Sequence, residues 1–216
     1  METPSKARRG GATGRLRDAR PRRGTADLTR ERLVTAAAVE FNRVGYHGTD
    51  SNRLARAAGY APATFYKHFP DKRSIFLAAY GAWVTAEWSD VERLVRAGGS
   101  ATAVAARIVD AVLAMHRRWR GLRASLRGLV AADAEARAFY RRQRRLQLQR
   151  LAALRPAGAA DRSVDDALLL FTLERVCDAI ADGELRDLGV AVGPALEQLR
   201  SLLAAHITRG GFRPSA

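Results

Sequence analysis

Thr64-Phe65-Tyr66-Lys67-His68-Phe69-Pro70-Asp71-Lys72 closes a span, Leu33 to Phe76, in which two short helical patterns are hinged at Gly59. Its hydroxyl, phenol, imidazole and ammonium groups are donors suited to phosphate oxygens. Working outward, Leu33, Ala37, Phe41 and Val44 fall on one helical face that Gly45 ends. Thr49 is the expected cap of a second short helix carrying Leu54, Ala55 and Ala58. Pro62 suits the first turn of a third helix, where a missing N–H costs nothing. Pro70 breaks that helix, and Asp71 caps a fourth whose Ile75, Phe76, Ala79 and Trp83 face inward.

Composition narrows the partner. The chain has 216 residues, a net charge of +15 and a pI near 11.3, enough for one or two packed domains and basic enough to favour a polyanion. Double-stranded DNA is the leading expectation. No apolar run approaches the roughly 18 residues that span a bilayer. Residues 1–27 lack the apolar core of a secretory signal, so a cytoplasmic protein with no membrane partner is expected. The lone Cys177 has no disulfide partner and the four histidines show no metal-ligand spacing, so neither metal nor cofactor is expected. HExxH, GxSxG and paired-carboxylate motifs are missing, which speaks against an enzyme.

The expected domains are a disordered basic arm at 1–27, a helix-turn-helix unit at 28–70 and a helical domain at 71–216. The arm sets Lys6, Arg8, Arg9, Arg15, Arg17, Arg20, Arg22 and Arg23 against few acids, a composition suited to a narrow minor groove or to a solubilising tail. Order is expected from Leu28, with Thr29 as N-cap and Leu28 and Leu33 as a hydrophobic staple. Helix 4 should run to Arg96 and break at Ala97-Gly98-Gly99-Ser100. Five further helical stretches follow, near 102–118, 121–131, 133–154, 163–182 from a Ser163 cap, and from Gly193-Pro194 to Thr208, with no strand pattern. The fold class is therefore all-α.

Ala36-Ala37, Phe41, Gly45-Tyr46, Thr49, Leu54-Ala55, Ala58-Gly59, Thr64-Phe65-Tyr66, His68-Phe69 and Lys72, at these spacings, resemble the TetR family of bacterial transcriptional regulators. The resemblance implies a three-helix DNA-binding domain and a C-terminal domain that dimerises and binds a small molecule. It also implies a homodimeric, ligand-released repressor of a palindromic operator. A helix with small residues at its start can enter a major groove, so Pro62, Ala63, Thr64 and Lys67 are placed near base edges. Tyr66, His68, Thr64 and Lys72 are assigned to phosphates, Asn52 and Arg53 to secondary base reading, and Thr49 to the same interface. Ala61, Ser51 and Tyr60 depart from the family pattern; losing a capping Ser or Thr at position 61 would cost about 1 kcal/mol of helix stability. The alternative is an architectural DNA binder without an effector.

In the C-terminal half, residues 163–180 are apolar around most of a helix, so both a core and a second partner are expected to cover them. The last helix places Leu196, Leu199, Leu203 and Ile207 on one face with Leu202 beside them, and two such helices per subunit would make a four-helix dimer interface. The effector, expected to be apolar or amphipathic, is assigned to Trp83, Met115, Trp119, Phe139 and Phe171, with Glu87, His116, Gln143 and Arg175 orienting it. Core packing explains much of the same aromatic inventory. Cys177 is expected to be a buried inert thiol. Arg137, Arg141, Arg142, Arg144 and Arg145 read as a solvated helix face or, more sharply, as a site for an anionic ligand such as an acyl-coenzyme A.

Overall fold

A computed structural model describes residues 23–156 and 158–211. Among them there is no strand. The helices are α1 (Arg23–Val44), α2 (Ser51–Ala57), α3 (Pro62–His68), α4 (Lys72–Arg96), α5 (Ala101–Arg118), α6 (Arg120–Ala132), α7 (Ala134–Ala153), α8 (Ser163–Asp182), α9 (Glu184–Asp187) and α10 (Val192–Gly210). No helix of the described residues is long and apolar enough to cross a membrane.

Several boundaries differ from the sequence expectations, each for a local reason. Helix α1 starts at Arg23 rather than after Thr29, since no proline lies between there and Gly45 and Gly24 stands only in the first turn. Thr29 is interior and its hydroxyl donates to the Thr25 carbonyl, while Leu28 is exposed and forms no staple. The cap of α2 is Asp50, whose carboxylate accepts from Arg53 N at 2.9 Å; Thr49 is buried one residue earlier. Ser163 is the first residue of α8, and its amide donates to the Asp161 carboxylate. The arm at 1–22 lies outside the described residues. Asp71 does cap α4, in a reciprocal box with Ser74.

Two apolar clusters hold the helices together. The first joins Leu33, Phe41, Leu54 and Phe65 of the N-terminal helices to Phe76 and Trp83 of α4, Leu122 and Leu126 of α6, and Phe139 of α7. The N-terminal helices therefore have no core of their own that stops at Pro70. The second cluster packs α5, α8 and α10 through Val109, Val112, Cys177, Leu199 and Leu203.

Candidate nucleic-acid interface and ligand cavity

Helix α3 is held by its apolar side. Phe65 is fully buried and Phe69 nearly so, with ring centroids 5.9 Å apart, and the Arg30 guanidinium lies 4.9 Å from the Phe69 ring. The entry turn needs Gly59, whose φ of 79° is the left-handed conformation that side chains disfavour. It is fastened by Tyr60 N donating to the Ala55 carbonyl at 2.9 Å. Pro62 opens the helix, and Ala61 gives no side-chain cap. Opposite the phenylalanines, Ala63, Tyr66 and Lys67 are exposed, and Pro62, Thr64 and His68 are half-buried. Helix α2 leaves Asn52 and Arg53 exposed.

Three of the residues assigned to DNA also work inside the subunit. Lys72 Nζ donates to the carbonyls of Tyr46 and Thr49, each at 3.0 Å, and sits 4.3 Å from the Tyr46 ring, so it fastens the α1–α2 connection to the start of α4. Arg53 Nε lies 2.6 Å from Glu40, which also takes Arg43. Thr49 is buried, with its hydroxyl unmatched by any hydrogen bond. Lys67, by contrast, makes no ion pair among the described residues.

The N-terminal helices are fastened to both ends of α6. At the N-terminal end, Asn42 of α1 donates to the Arg118 carbonyl at 2.8 Å and accepts from Leu122 N at 3.1 Å. Tyr46 N donates to Ser125 Oγ at 3.0 Å. Gly121 permits the approach, because a Cβ there would stand 2.0 Å from the Asn42 carbonyl oxygen. At the other end, Arg73 of α4 pairs at 2.9 Å with Asp133, the cap of α7, and with Glu135.

A cavity of about 60 Å³ lies among α4, α5, α7, α8 and α10. Its walls are apolar, including Trp88, Ile108, Val112, Leu151, Leu169 and Leu203, and its polar groups are Glu87, Gln147, Glu174 and His206. Of the ligand residues read from sequence, only Glu87 lines it. Trp83 and His116 are buried beside it, and Met115, Trp119 and Phe139 pack against the first apolar cluster. Gln143 lies near Gly81, while Phe171 and Arg175 face an open groove of about 340 Å³ between α6, α7 and α8. Sequence reasoning missed Gln147, Glu174 and His206. Glu174 carried a signal, since it stands on the inward face of α8 between Leu170 and Cys177 at helical spacing.

Behind the cavity runs a buried charge network. His116 is fully buried, with Nδ1 3.0 Å from Asp178 and Nε2 3.5 Å from Glu87. Arg123 of α6 holds Asp178 through two hydrogen bonds of 2.6 and 3.0 Å, lies 3.8 Å from Glu174, and stacks 5.0 Å from the Trp83 ring. Arg144 of α7 completes the set on Glu174 and Gln147. Burial alone would raise the Asp178 pKa, but His116 and Arg123 beside it hold its carboxyl well below the usual range. Burial opposes charge on His116, yet Asp178 and Glu87 outweigh it and raise its pKa. The arginine run is thus not one solvated face: Arg144 is in this network and Arg137 donates to the Val130 and Ala131 carbonyls, leaving Arg141, Arg142 and Arg145 exposed. Burial pushes the Cys177 thiol up to about 12, as suits an inert core residue.

The outer faces of the last helices complete the picture. Leu199, Leu203 and Ile207 are buried in the chain's own core, mainly against α5, so they are not free for a partner as the sequence reading expected. What stays exposed is Val164, Leu168 and Phe171 on α8, at 71, 63 and 49 %, with Leu202 on α10.

Residues 33–79 match the family described as bacterial regulatory proteins, tetR family. Among curated proteins, no sequence matches the chain. Solved structures share the fold at low identity. A transcriptional regulator of Streptomyces coelicolor A3(2) is 17 % identical at a TM-score of 0.65, covering 82 % of this chain and 98 % of its own. The transcriptional regulator FadR of Bacillus subtilis, solved with stearoyl-CoA, is 15 % identical at 0.59, covering 81 % and 97 %. A regulator of Saccharomonospora viridis, solved with choline, is 20 % identical at 0.60, covering 84 % and 96 %.

Proposed function

We propose that this chain, whose residues 33–79 form a TetR-family DNA-binding domain, is a ligand-responsive repressor that acts in the bacterial cytoplasm as a homodimer on a palindromic operator. The observation that carries the reading is the outer face of α3. Small, hydroxyl and basic side chains stand free there, on a helix anchored from behind by Phe65 and Phe69. Thr64, Tyr66 and His68 fix the helix on phosphates, and Lys67 reads base edges, with help from Asn52 and Arg53. Lys72 and Thr49 support this surface from within.

The exposed stripe Val164, Leu168 and Phe171 is the seat of the second copy, since large apolar side chains in register along one helix need cover. Two-fold symmetry then presents two α3 helices to successive major grooves. The effector occupies the cavity among α4, α5, α7, α8 and α10. Glu174 lines that cavity and also faces Arg123, so a ligand there acts on α6, which is tied to α1 through Asn42 and to α4 through Arg73. The ligand works only through its differential affinity for operator-bound and released conformers; a coupling of about 1–3 kcal/mol changes operator affinity roughly 5- to 150-fold.

The test is selection of preferred duplexes from random DNA by the purified full chain, followed by sedimentation of the free protein and of the complex. A two-fold symmetric site bound by two copies supports the reading. Equal affinity for all duplexes at fixed salt would leave an architectural binder instead.

A further inference from the structure

The cavity's chemistry points to a class of ligand, and the argument rests on the effector reading above. Glu87 is a carboxylate only 6 % exposed, yet it accepts no close hydrogen bond: its Oε1 is unmatched, and the nearest cation, His116 Nε2, stands 3.5 Å away. A buried carboxylate normally takes several donors, and leaving it short of them is costly. Glu87 nevertheless lines a cavity otherwise walled by aliphatic side chains and Trp88, with no lysine or arginine along it. Glu174, the other acid there, is already held by Arg144 and faces Arg123. His206 is near Asp166, at 3.0 Å. The least-satisfied charge in this chamber is therefore Glu87, faced by His116 alone at 3.5 Å and without a hydrogen bond.

We propose that the cavity binds a small organic cation, an ammonium group with a short apolar body, whose charge is met by Glu87 and whose carbon skeleton packs against the aliphatic walls. Trp88 adds the attraction of an indole for a cation. The size follows from the free volume. At about 60 Å³ the cavity has room for a compact ammonium, and a long acyl chain does not fit it as it stands. An anionic ligand meets two acids and no lysine or arginine along the walls, and is disfavoured.

The experiment is calorimetric titration of the full chain with three straight-chain probes of similar size: n-butylammonium, whose N–H groups can donate to Glu87, the uncharged 1-butanol and butyrate. The cation should bind at least about tenfold more tightly than the alcohol, as a charge-assisted contact implies, and butyrate should not bind. Glu87→Gln keeps the shape and should remove the preference for the cation while leaving the alcohol's affinity unchanged. Leu173→Phe, which fills the cavity from its wall, should weaken cation and alcohol alike and keeps the test open if Glu87→Gln folds poorly. Equal affinity for cation and alcohol, tighter binding of butyrate, or no binding of the cation would overturn the proposal. Repeating the titration with the selected duplex separates the two readings. A cation that binds but leaves duplex affinity unchanged upholds the ligand class and removes the effector role; a duplex bound well by a chain that takes no cation does the reverse.

Discussion

Lys72 illustrates how one side chain serves two masters at the residue scale. Its ammonium satisfies two backbone carbonyls of the α1–α2 connection, and only the third donor is left for a phosphate. Lys72→Met keeps the stem and removes the donors, so urea denaturation should show a loss of about 1–3 kcal/mol for carbonyls left short of a partner. Weaker duplex binding with unchanged stability would instead make Lys72 chiefly a phosphate contact. Tyr66 and Lys67 divide the work differently. Tyr66→Phe should weaken binding about equally across duplex sequences, whereas Lys67→Ala should relax preference at one or two positions, both checked by repeating the selection with each variant.

Helix α6 is the element that joins the buried charge network to the N-terminal helices. Its Arg123 is buried among Asp178, Glu174, Tyr80 and Trp83, while His116 of α5 completes the pair on Asp178 and faces Glu87 of α4. Removing one member of such a set strands a buried charge and typically costs about 3–5 kcal/mol. Protonation supplies a gentler probe. His116 has its native pKa raised above 6.5, so its contribution is fully present below that value and is lost as pH rises through the native pKa. His206 has its pKa lowered, chiefly by burial, so its penalty falls on the acid side of 6.5 and leaves the alkaline side to His116. Urea midpoints of the wild-type chain should therefore decline as pH rises above about 6.5, more steeply than those of His116→Gln. Parallel profiles would remove His116 from the charged network.

Over the whole molecule, two contacts decide whether ligand, body and reading unit act together. Gly121→Ala would put a Cβ 2.0 Å from the Asn42 carbonyl oxygen, backbone against side chain with nowhere to rotate. The α1–α6 seam should open, with a loss of about 1–3 kcal/mol in thermal or urea unfolding and a weaker response of duplex affinity to effector. Leu168→Glu changes an exposed position on α8, so the subunit should fold normally while sedimentation shows monomers. Its affinity for a two-fold duplex should fall to that of a single reading unit; an unaltered dimer would move the interface elsewhere.

Much of this was legible along the chain because it depends on near neighbours in sequence. The helix starts at Pro62 and Asp71, the left-handed turn at Gly59, the break at Ala97–Ser100 and the inward spacing of Phe65 and Phe69 are fixed by local sterics and by the 3.6-residue period. Where local signals competed, the nearer one failed: Thr29 looked like a cap, but with no proline between it and Arg23 the helix extends back to Arg23. The tertiary structure decided what spacing leaves open. Leu203 and Ile207 of α10 and Leu168 of α8 carry equal apolar signals, and only packing sends the first two inward and leaves the third exposed. Likewise Glu87, Glu174 and Arg123 are far apart in sequence, and their charges acquire meaning only where three helices bring them out of water together, since electrostatic demand depends on distance and burial rather than on residue type.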